Sequence, residues 1–328
     1  MKIYTRILVI RLSSLGDILL TTPLLRALKN NFPESEIDFL VKEEYKDTLR
    51  LNPNINRLLF YGQGKNSVDK FISQYKSYYD LIIDLQNNFR SAQLTLKLKS
   101  PVRRFKKYSF RKWLLVNTKI NLLKKMPPIA DRYFNTMTEI KPDGRGPEFY
   151  TDKNFSSGLN GLPNLIGIAP GSRHYTKSWP VDYYSELIRN LINSKYNVVL
   201  LGGADDIELC KLLAEDNPEV INLCKANDLL QIGADLKKCR VLICNDSGLM
   251  HLASAVNVPV VAFFGSTVKE FGFLPYKVSN LILENNLLTC RPCSHIGRSD
   301  CPRKHFKCMK EISPGFAFNK ILDFIGTL

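Results

Sequence analysis

Residues 7–23 read Ile-Leu-Val-Ile-Arg-Leu-Ser-Ser-Leu-Gly-Asp-Ile-Leu-Leu-Thr-Thr-Pro, and this stretch decides the fold. The apolar run from Arg6 to Leu12 predicts a buried strand. Gly16 permits a tight turn after that strand. Residues 17–31 then place apolar side chains at helical spacing, and Pro33 follows as a stop signal. The stretch is therefore predicted to be a strand, a turn and a helix.

The rest of the chain repeats this alternation. Further strands are predicted at residues 37–41, 58–61, 81–85, 165–169, 198–202, 220–223, 241–245 and 258–264. Helices in the second half are predicted near residues 181–194, 205–216, 227–238, 248–256 and 314–326. Strands that alternate with helices indicate an α/β protein with parallel sheets and helices on both faces.

A segment from about Pro142 to Pro163 is rich in glycine, proline and serine, and this composition predicts a linker. We expect two Rossmann-like, doubly wound domains at residues 1–150 and 151–328, facing a central cleft. The final helix could also pack back on the first domain. Ligands of such folds bind at the carboxyl ends of the strands.

The bulk composition limits the classes of protein that the chain can belong to. With 328 residues and 45% hydrophobic residues, it can build two cores, so it is not a disordered protein. No apolar run reaches the roughly 20 residues of a membrane helix, and no signal peptide is recognised, so a cytoplasmic location is the default. The formal charge of +15 predicts attraction to polyanions or simply a solvated basic face.

The first candidate site is the turn Arg11-Leu-Ser-Ser-Leu-Gly-Asp17 after the first strand. Asp17 is expected at the start of a helix, where a carboxylate often serves only as a cap. At the carboxyl end of a strand it could instead take a proton from an acceptor hydroxyl. A single carboxylate suits an inverting transfer, in which the leaving group needs charge stabilisation rather than protonation.

A second candidate site follows the strand at residues 165–169. Ser172 offers a hydroxyl to a phosphate, and Arg173 and Lys177 offer positive charge. The alternative is an ordinary loop with a solvated lysine. The density of groups that bind phosphate favours a site for an anionic ligand.

A third candidate site is Asn245-Asp-Ser-Gly-Leu-Met-His251, which ends a strand and opens a helix. Ser247 and Gly248 would place free N–H groups at the positive end of that helix, which favours a diphosphate. Asp246 could cap the helix or hold the preceding loop. His251 lies one turn further on and could equally be structural.

A fourth candidate site is Gly202-Gly-Ala-Asp-Asp-Ile-Glu208. Asp205 or Glu208 could hydrogen-bond the hydroxyls of a ribose. A glycine pair followed by aspartate is also an ordinary turn with a helix cap.

Together these motifs resemble glycosyltransferase family 9, the ADP-heptose:lipopolysaccharide heptosyltransferases. The opening at residues 7–23, the block Asp80-Leu-Ile-Ile-Asp-Leu-Gln-Asn-Asn-Phe-Arg-Ser91, the sequence Lys177-Ser-Trp-Pro180 and the turn at residues 245–251 carry the resemblance. They occur in the family's order along nearly the whole chain. The resemblance implies a GT-B architecture, with the acceptor on the first domain and the sugar nucleotide on the second.

The resemblance also implies roles for individual residues. Asp17 would be the base and Lys177 would contact the donor phosphate, so these two are the predicted catalytic residues. The other predicted donor-binding residues are Ser172, Arg173, Asp205, Glu208, Asp246, Ser247, Gly248 and His251, and the predicted acceptor-binding residues are Ser13, Ser14, Gly16 and Arg90. Residues 173–176 depart from the acidic residues of some relatives, which leaves the donor sugar open.

The implied reaction is an inverting transfer without a catalytic metal or cofactor, from ADP-heptose to a lipopolysaccharide core or related glycolipid. Three alternatives remain: another GT-B hexosyltransferase, a sugar-nucleotide epimerase, or a non-catalytic protein that binds nucleotides or anionic polymers.

Residues 97–125 are dense in Lys and Arg and include Tyr108, Phe110 and Trp113. Alone, such a segment could be a nucleic-acid patch or a membrane-surface helix. With the resemblance, we expect an anionic glycolipid acceptor, peripheral contact with the inner face of the cytoplasmic membrane, and no nucleic acid.

Four late cysteines, Cys290, Cys293, Cys301 and Cys308, form a cluster, with His295 and His305 nearby. Their spacing is looser than that of a standard zinc ribbon. Structural zinc, free thiols and disulfides all remain open. Catalysis by these thiols is not expected, because no base stands beside them in the sequence.

Overall fold

A computed structural model describes residues 3–62, 67–152, 155, 157–225 and 228–328. The chain separates into two compact units, one of residues 1–108 and 127–150 and the other of residues 109–126 and 151–328. The division at residue 150 falls within the predicted linker. Residues 109–126, expected in the first domain, belong to the second unit, because the Lys119 ammonium donates to the carbonyls of Cys290 and Pro292.

The first unit is built on a parallel sheet. Its strands are β1 (Arg6–Ile10), β2 (Glu36–Val41), β3 (Arg57–Phe60), β4 (Leu81–Asp84) and β5 (Val102–Arg104). The order across the sheet is β3-β2-β1-β4-β5. In the central strand, Ile7 pairs with Ile37 on one side and Leu81 on the other.

The helices of the first part of the chain are α1 (Leu15–Leu19), α2 (Thr22–Asn31), α3 (Ser67–Tyr75), α4 (Phe89–Leu98), α5 (Ser109–Thr118) and α6 (Ile129–Tyr133). The single helix predicted over residues 17–31 is two helices. The helix is interrupted because Pro23 has no N–H to donate to the carbonyl of Leu19. The Thr22 hydroxyl donates to that carbonyl instead, at 2.7 Å.

The second unit is also built on a parallel sheet. Its strands are β6 (Leu165–Ala169), β7 (Asn197–Leu200), β8 (Ile221–Asn222), β9 (Val241–Asn245), β10 (Val260–Phe264) and β11 (Asn280–Glu284), in the order β11-β10-β9-β6-β7-β8. Its later helices are α7 (Val181–Asn193), α8 (Ile207–Asp216), α9 (Leu229–Leu236), α10 (Gly248–Ala255), α11 (Lys307–Lys310) and α12 (Pro314–Gly326).

The final helix α12 packs on other elements of the second unit. It lies against α7 and β11. Ala317, Ile321 and Ile325 are buried in the same core as Trp179 and Phe263. Apolar residues recur every three to four positions along α12 and form one face of the helix. This face packs against the sheet of the second unit.

Each sheet has one point at which the strand order reverses. In the first unit this switch point lies between β1 and β4, and in the second it lies between β6 and β9. At a switch point the two loops at the carboxyl ends of the strands run in opposite directions and leave a crevice, which is where ligands bind in such folds. The loops after β1, β4, β6 and β9 therefore hold most of the candidate site residues, whereas Asp205 and Glu208 follow β7.

Candidate functional site

The turn after β1 places Asp17 in the first turn of α1. Ser14 is the N-cap, and its hydroxyl donates to the Asp17 carboxylate at 3.0 Å while its backbone N–H approaches the same oxygen at 3.4 Å. Gly16 is buried within the helix. Asp17 is therefore not the N-cap but the third residue of α1, and the two hydrogen bonds from Ser14 orient its carboxylate.

Asp17 also forms an ion pair with Arg11. Arg11 Nη2 lies 2.6 Å from Asp17 Oδ1, and the Asp17 side chain keeps 19% of its exposure, so a ligand can reach it. Burial alone would raise the pKa of Asp17, but the charge of Arg11 and the hydrogen bonds from Ser14 hold that pKa below its usual value. Asp17 is therefore an ionised carboxylate at neutral pH.

The loop after β4 supports the turn after β1 from across the switch point. Arg11 Nη1 donates to the carbonyl of Leu85 at 2.8 Å, and the Gln86 side chain accepts the N–H of Leu12 at 2.9 Å. Arg90 lies exposed in the first turn of α4. Ser13 contributes its carbonyl, which accepts from Arg11 Nε. The acceptor-binding roles of Ser13, Ser14, Gly16 and Arg90 stay predictions.

Two residues near the Arg11 and Asp17 pair were missed from the sequence. Burial, and then the charge of Arg11, lower the pKa of Lys107, while Asp17 opposes this change. Tyr133 is fully buried, and burial raises the pKa of its phenol, which keeps it neutral. Neither residue lies in a motif; the strand β5 that leads to Lys107 is short and basic, so no apolar pattern predicted it.

In the second unit, Lys177 and Asp246 form an ion pair across the switch point. Lys177 Nζ lies 2.8 Å from Asp246 Oδ2, and the Thr267 hydroxyl donates to the same oxygen at 2.6 Å. The Lys177 side chain is 15% exposed. The pair thus brings together two residues predicted from separate motifs, and leaves the lysine at the surface of the crevice.

The helix α10 begins directly after this ion pair. Ser247 is its N-cap, but the Ser247 side chain makes no capping hydrogen bond, so the first N–H groups of α10, beginning with that of Gly248, stay available to a ligand. His251 is buried one turn further on, beside the ring of Phe273. The donor-binding role of His251 stays a prediction.

The loops after β6 and β7 meet through a residue that the sequence did not single out. A Cβ atom on Gly171 would lie 1.8 Å from Asp206 Oδ1, so any larger residue there would displace the Asp206 carboxylate. Asp206 also accepts the N–H of Gly203 at 2.9 Å. The predicted donor residues Asp205 and Glu208 are exposed, and so is Arg173. Ser172 makes only a long contact of 3.4 Å with the His174 carbonyl.

Arg291 holds the loops around Asp246 in place. Its guanidinium donates to the carbonyls of Phe264, Gly265, Thr267 and Asn285 and to the carboxylate of Glu284, at 2.6 to 3.1 Å. Thr267 in turn holds Asp246. The sequence did not indicate this structural role, because Arg291 lies between Cys290 and Cys293 in a segment with no helix or strand pattern.

The four late cysteines are free thiols, which excludes the disulfide alternative in this structure. Burial raises the pKa of Cys293 and raises that of Cys308 to about 12. Within the described ranges, no three His, Cys, Asp or Glu side chains are placed to hold a metal ion. The arrangement therefore gives no support to structural zinc, one of the three alternatives that the sequence left open for this cluster.

The two doubly wound parallel sheets confirm the predicted α/β fold with two Rossmann-like units, which is the fold of the GT-B class of glycosyltransferases. The chain belongs to glycosyltransferase family 9 (heptosyltransferase), whose sequence profile matches residues 68–302. It is therefore an enzyme of the glycosyltransferase type. The predicted enzyme class is confirmed, and the alternative of a non-catalytic binding protein is set aside.

Individual relatives agree with this assignment. The chain is 30% identical to lipooligosaccharide heptosyltransferase 2 of Haemophilus ducreyi, over 81% of this chain and 85% of that protein. The crystal structure of a family 9 glycosyl transferase from Veillonella parvula has a TM-score of 0.80 at 23% identity and covers 99% of this chain and 98% of that one. The E. coli ADP-heptose lps heptosyltransferase II has a TM-score of 0.75 at 24% identity, covering 98% and 99%.

Replacing Arg291 by lysine is expected to loosen the second unit. A lysine ammonium cannot serve five acceptors on two loops, so buried carbonyls lose their donors, which costs about 2–3 kcal/mol of unfolding free energy. Urea denaturation followed by the fluorescence of the buried Trp179 measures this loss. The exposed Arg303→Lys is the matched control, and equal stability of the two variants would contradict the structural role of Arg291.

Proposed function

We propose that the protein is an inverting, metal-independent heptosyltransferase that uses ADP-heptose as the donor and a lipopolysaccharide core or related glycolipid as the acceptor. The observation that carries the proposal is the placement of charged groups at both switch points: an ionised Asp17 in the first unit and Lys177 beside the start of α10 in the second. The names of the relatives support the donor and the class of acceptor.

In the proposed reaction, Asp17 accepts the proton of an acceptor hydroxyl. The hydroxyl oxygen attacks the anomeric carbon of the donor and forms the new glycosidic bond, while the bond from that carbon to the diphosphate breaks. ADP leaves with the electron pair. A single displacement of this kind inverts the configuration at the anomeric carbon, and no second carboxylate is needed.

The charge that grows on the departing diphosphate is stabilised by Lys177 and by the N–H groups at the start of α10. Asp246 holds the lysine ammonium in position but also neutralises part of its charge. Binding of a diphosphate would therefore compete with Asp246 for Lys177. The N–H groups at the start of α10 are fixed by the helix, and donors fixed in this way lower the barrier because they need no rearrangement as the charge develops.

Replacing Asp17 by asparagine is expected to abolish most transfer while leaving donor binding intact. Loss of a catalytic base typically lowers kcat by about 10²- to 10⁴-fold. Product formation from ADP-heptose and lipid acceptor gives kcat, and calorimetric binding of ADP confirms an intact second unit. The exposed Asp69→Asn is the matched control, and a near-normal kcat in Asp17→Asn would refute the base assignment.

Replacing Lys177 by alanine is expected to weaken ADP binding and to lower kcat by about 10²- to 10³-fold, because the leaving diphosphate loses its cation. The exposed Lys211→Ala is the matched control. If Lys177 and α10 carry this charge, the wild-type rate persists in EDTA. A rate that collapses in EDTA and returns with a divalent cation would show that a metal carries the charge instead.

We also propose peripheral contact with the inner face of the cytoplasmic membrane. No helix in the described ranges is long and apolar enough to cross a membrane. Four large apolar side chains are exposed in one short part of the second unit: Phe110, Trp113, Ile120 and Leu122. The rings of Phe110 and Trp113 lie together, 6.1 Å apart, beside Arg111 and Lys112. Exposed aromatic rings among cations are typical of membrane-surface segments.

Replacing Phe110 and Trp113 by serine is expected to remove the protein from vesicles that contain phosphatidylglycerol, as measured by sedimentation. Neutral phosphatidylcholine vesicles should bind the wild type weakly, because they carry no anionic headgroups to attract the lysine and arginine side chains. The double change Leu96→Ser and Leu212→Ser, at exposed apolar positions elsewhere, is the control. Unchanged sedimentation of the Phe110→Ser/Trp113→Ser variant would contradict the membrane contact.

A further inference from the structure

A pocket of about 850 Å³ lies in the second unit, apart from Lys177 and Asp246. Its walls are the end of α5 at residues 116–119, the segment at residues 288–293, and side chains from residues 298–307. The cations Lys119, Arg298, Arg303 and Lys307 line it, together with His305. None of the described lining residues is acidic. The lining is therefore strongly electropositive.

Two of these cations are fixed by the backbone. Lys119 Nζ donates to the carbonyls of Val116, Cys290 and Pro292 at 2.7 to 3.2 Å, which closes α5 onto the cysteine-rich segment. Arg298 Nε donates to the carbonyl of Cys293 at 3.0 Å. A ligand that binds here pays little entropy to order these side chains.

His305 presents a donor rather than an acceptor. Its Nδ1 accepts the N–H of Lys307 at 3.0 Å, so in the neutral ring the proton is on Nε2. Nε2 lies 3.8 Å from Cys290 Sγ. Lys119 commits its three N–H donors to backbone carbonyls and contributes only its charge to the pocket. Arg298, Arg303 and Lys307 offer N–H donors, which suits an anion with several oxygen acceptors.

The positive charge of the pocket is only partly neutralised. Lys307 lies 3.5 Å from Glu311 Oε1, and both side chains are exposed, so this pair is weak. No ion pair of Arg303 is found within the described ranges. Like charges gathered in one pocket repel each other, and a bound anion relieves that repulsion.

We propose that this pocket binds a phosphate monoester, carried by the headgroup of a lipid. Phosphate oxygens match arginine and lysine donors. The volume exceeds that of one phosphate, and Val116, Leu288 and Pro302 supply apolar wall for the rest of a headgroup. A lipid is inferred as the source of the phosphate because the pocket adjoins the segment of the proposed membrane contact. The pocket wall at residues 116–119 lies in the chain between the exposed residues Trp113 and Ile120. That source rests on the proposed membrane contact, whereas the phosphate site does not.

Calorimetric titration of glycerol 3-phosphate into the Lys177→Gln protein tests the pocket without interference from the donor site. We expect saturable binding that weakens at least about tenfold when Arg303 and Lys307 are both replaced by alanine. Lys320→Ala, an exposed position on α12 outside the pocket, should bind as the parent does, and circular dichroism checks the fold of each variant. Absence of saturable binding, or equal affinity in the double variant, overturns the phosphate site.

Vesicles identify the source of the phosphate. Phosphatidic acid carries a phosphate monoester and phosphatidylglycerol a diester, so a monoester site predicts tighter sedimentation with the former. The Arg303→Ala/Lys307→Ala variant should lose this preference, while Phe110→Ser/Trp113→Ser should lose vesicle binding yet keep its affinity for glycerol 3-phosphate. If the Arg303→Ala/Lys307→Ala variant still prefers phosphatidic acid, a lipid does not supply the phosphate. If this variant has also lost its binding of glycerol 3-phosphate, the natural ligand of the pocket is a soluble phosphate ester.

Discussion

The side-chain amide of Asn245 holds together the two loops on which the chemistry of the second unit depends. Its oxygen accepts the N–H of Trp179 at 3.0 Å, and its nitrogen donates to the carbonyl of Pro170 at 2.7 Å. Both contacts cross the switch point from β9 to the loop after β6. Because this amide is fully buried, each unmade bond would cost the desolvation of a polar group. Lys177 and Asp246 meet because Asn245 fixes the loops that carry them.

In the first unit, different residues hold together the loops after β1 and β4. Gln86 reaches from the loop after β4 to the N–H of Leu12, and Arg11 reaches back to the carbonyl of Leu85. Arg11 then serves a second purpose, because it keeps Asp17 ionised. A carboxylate of lowered pKa is a weak base toward a free hydroxyl. In the proposed reaction, proton transfer therefore accompanies or follows attack on the anomeric carbon, when the hydroxyl has become acidic.

The sequence predicted what depends on local pattern and missed what depends on contacts between distant segments. The apolar runs located β6 and β9 at their observed bounds, and glycine with a following carboxylate located the turn at Asp17. The edge strands β5 and β11 are half exposed and have no continuous apolar run. Of two adjacent aspartates, the choice of Asp205 over Asp206 could not be made from spacing, because only the fold shows which one faces Gly171.

The basic character of the chain has two separate physical origins that net charge cannot distinguish. Arg11, Arg26 and Arg291 are buried, and each is paired with a carboxylate. Their planar guanidinium groups bind several acceptors at once, so they are part of the architecture and attract no ligand. The cations of residues 109–126 and 298–307 are largely exposed. Those of residues 109–126 share their segment with the exposed side chains of Phe110, Trp113, Ile120 and Leu122. A surface on which exposed cations and exposed aromatic rings lie together suits a ligand that is both anionic and apolar, and the proposed membrane contact rests on this chemistry.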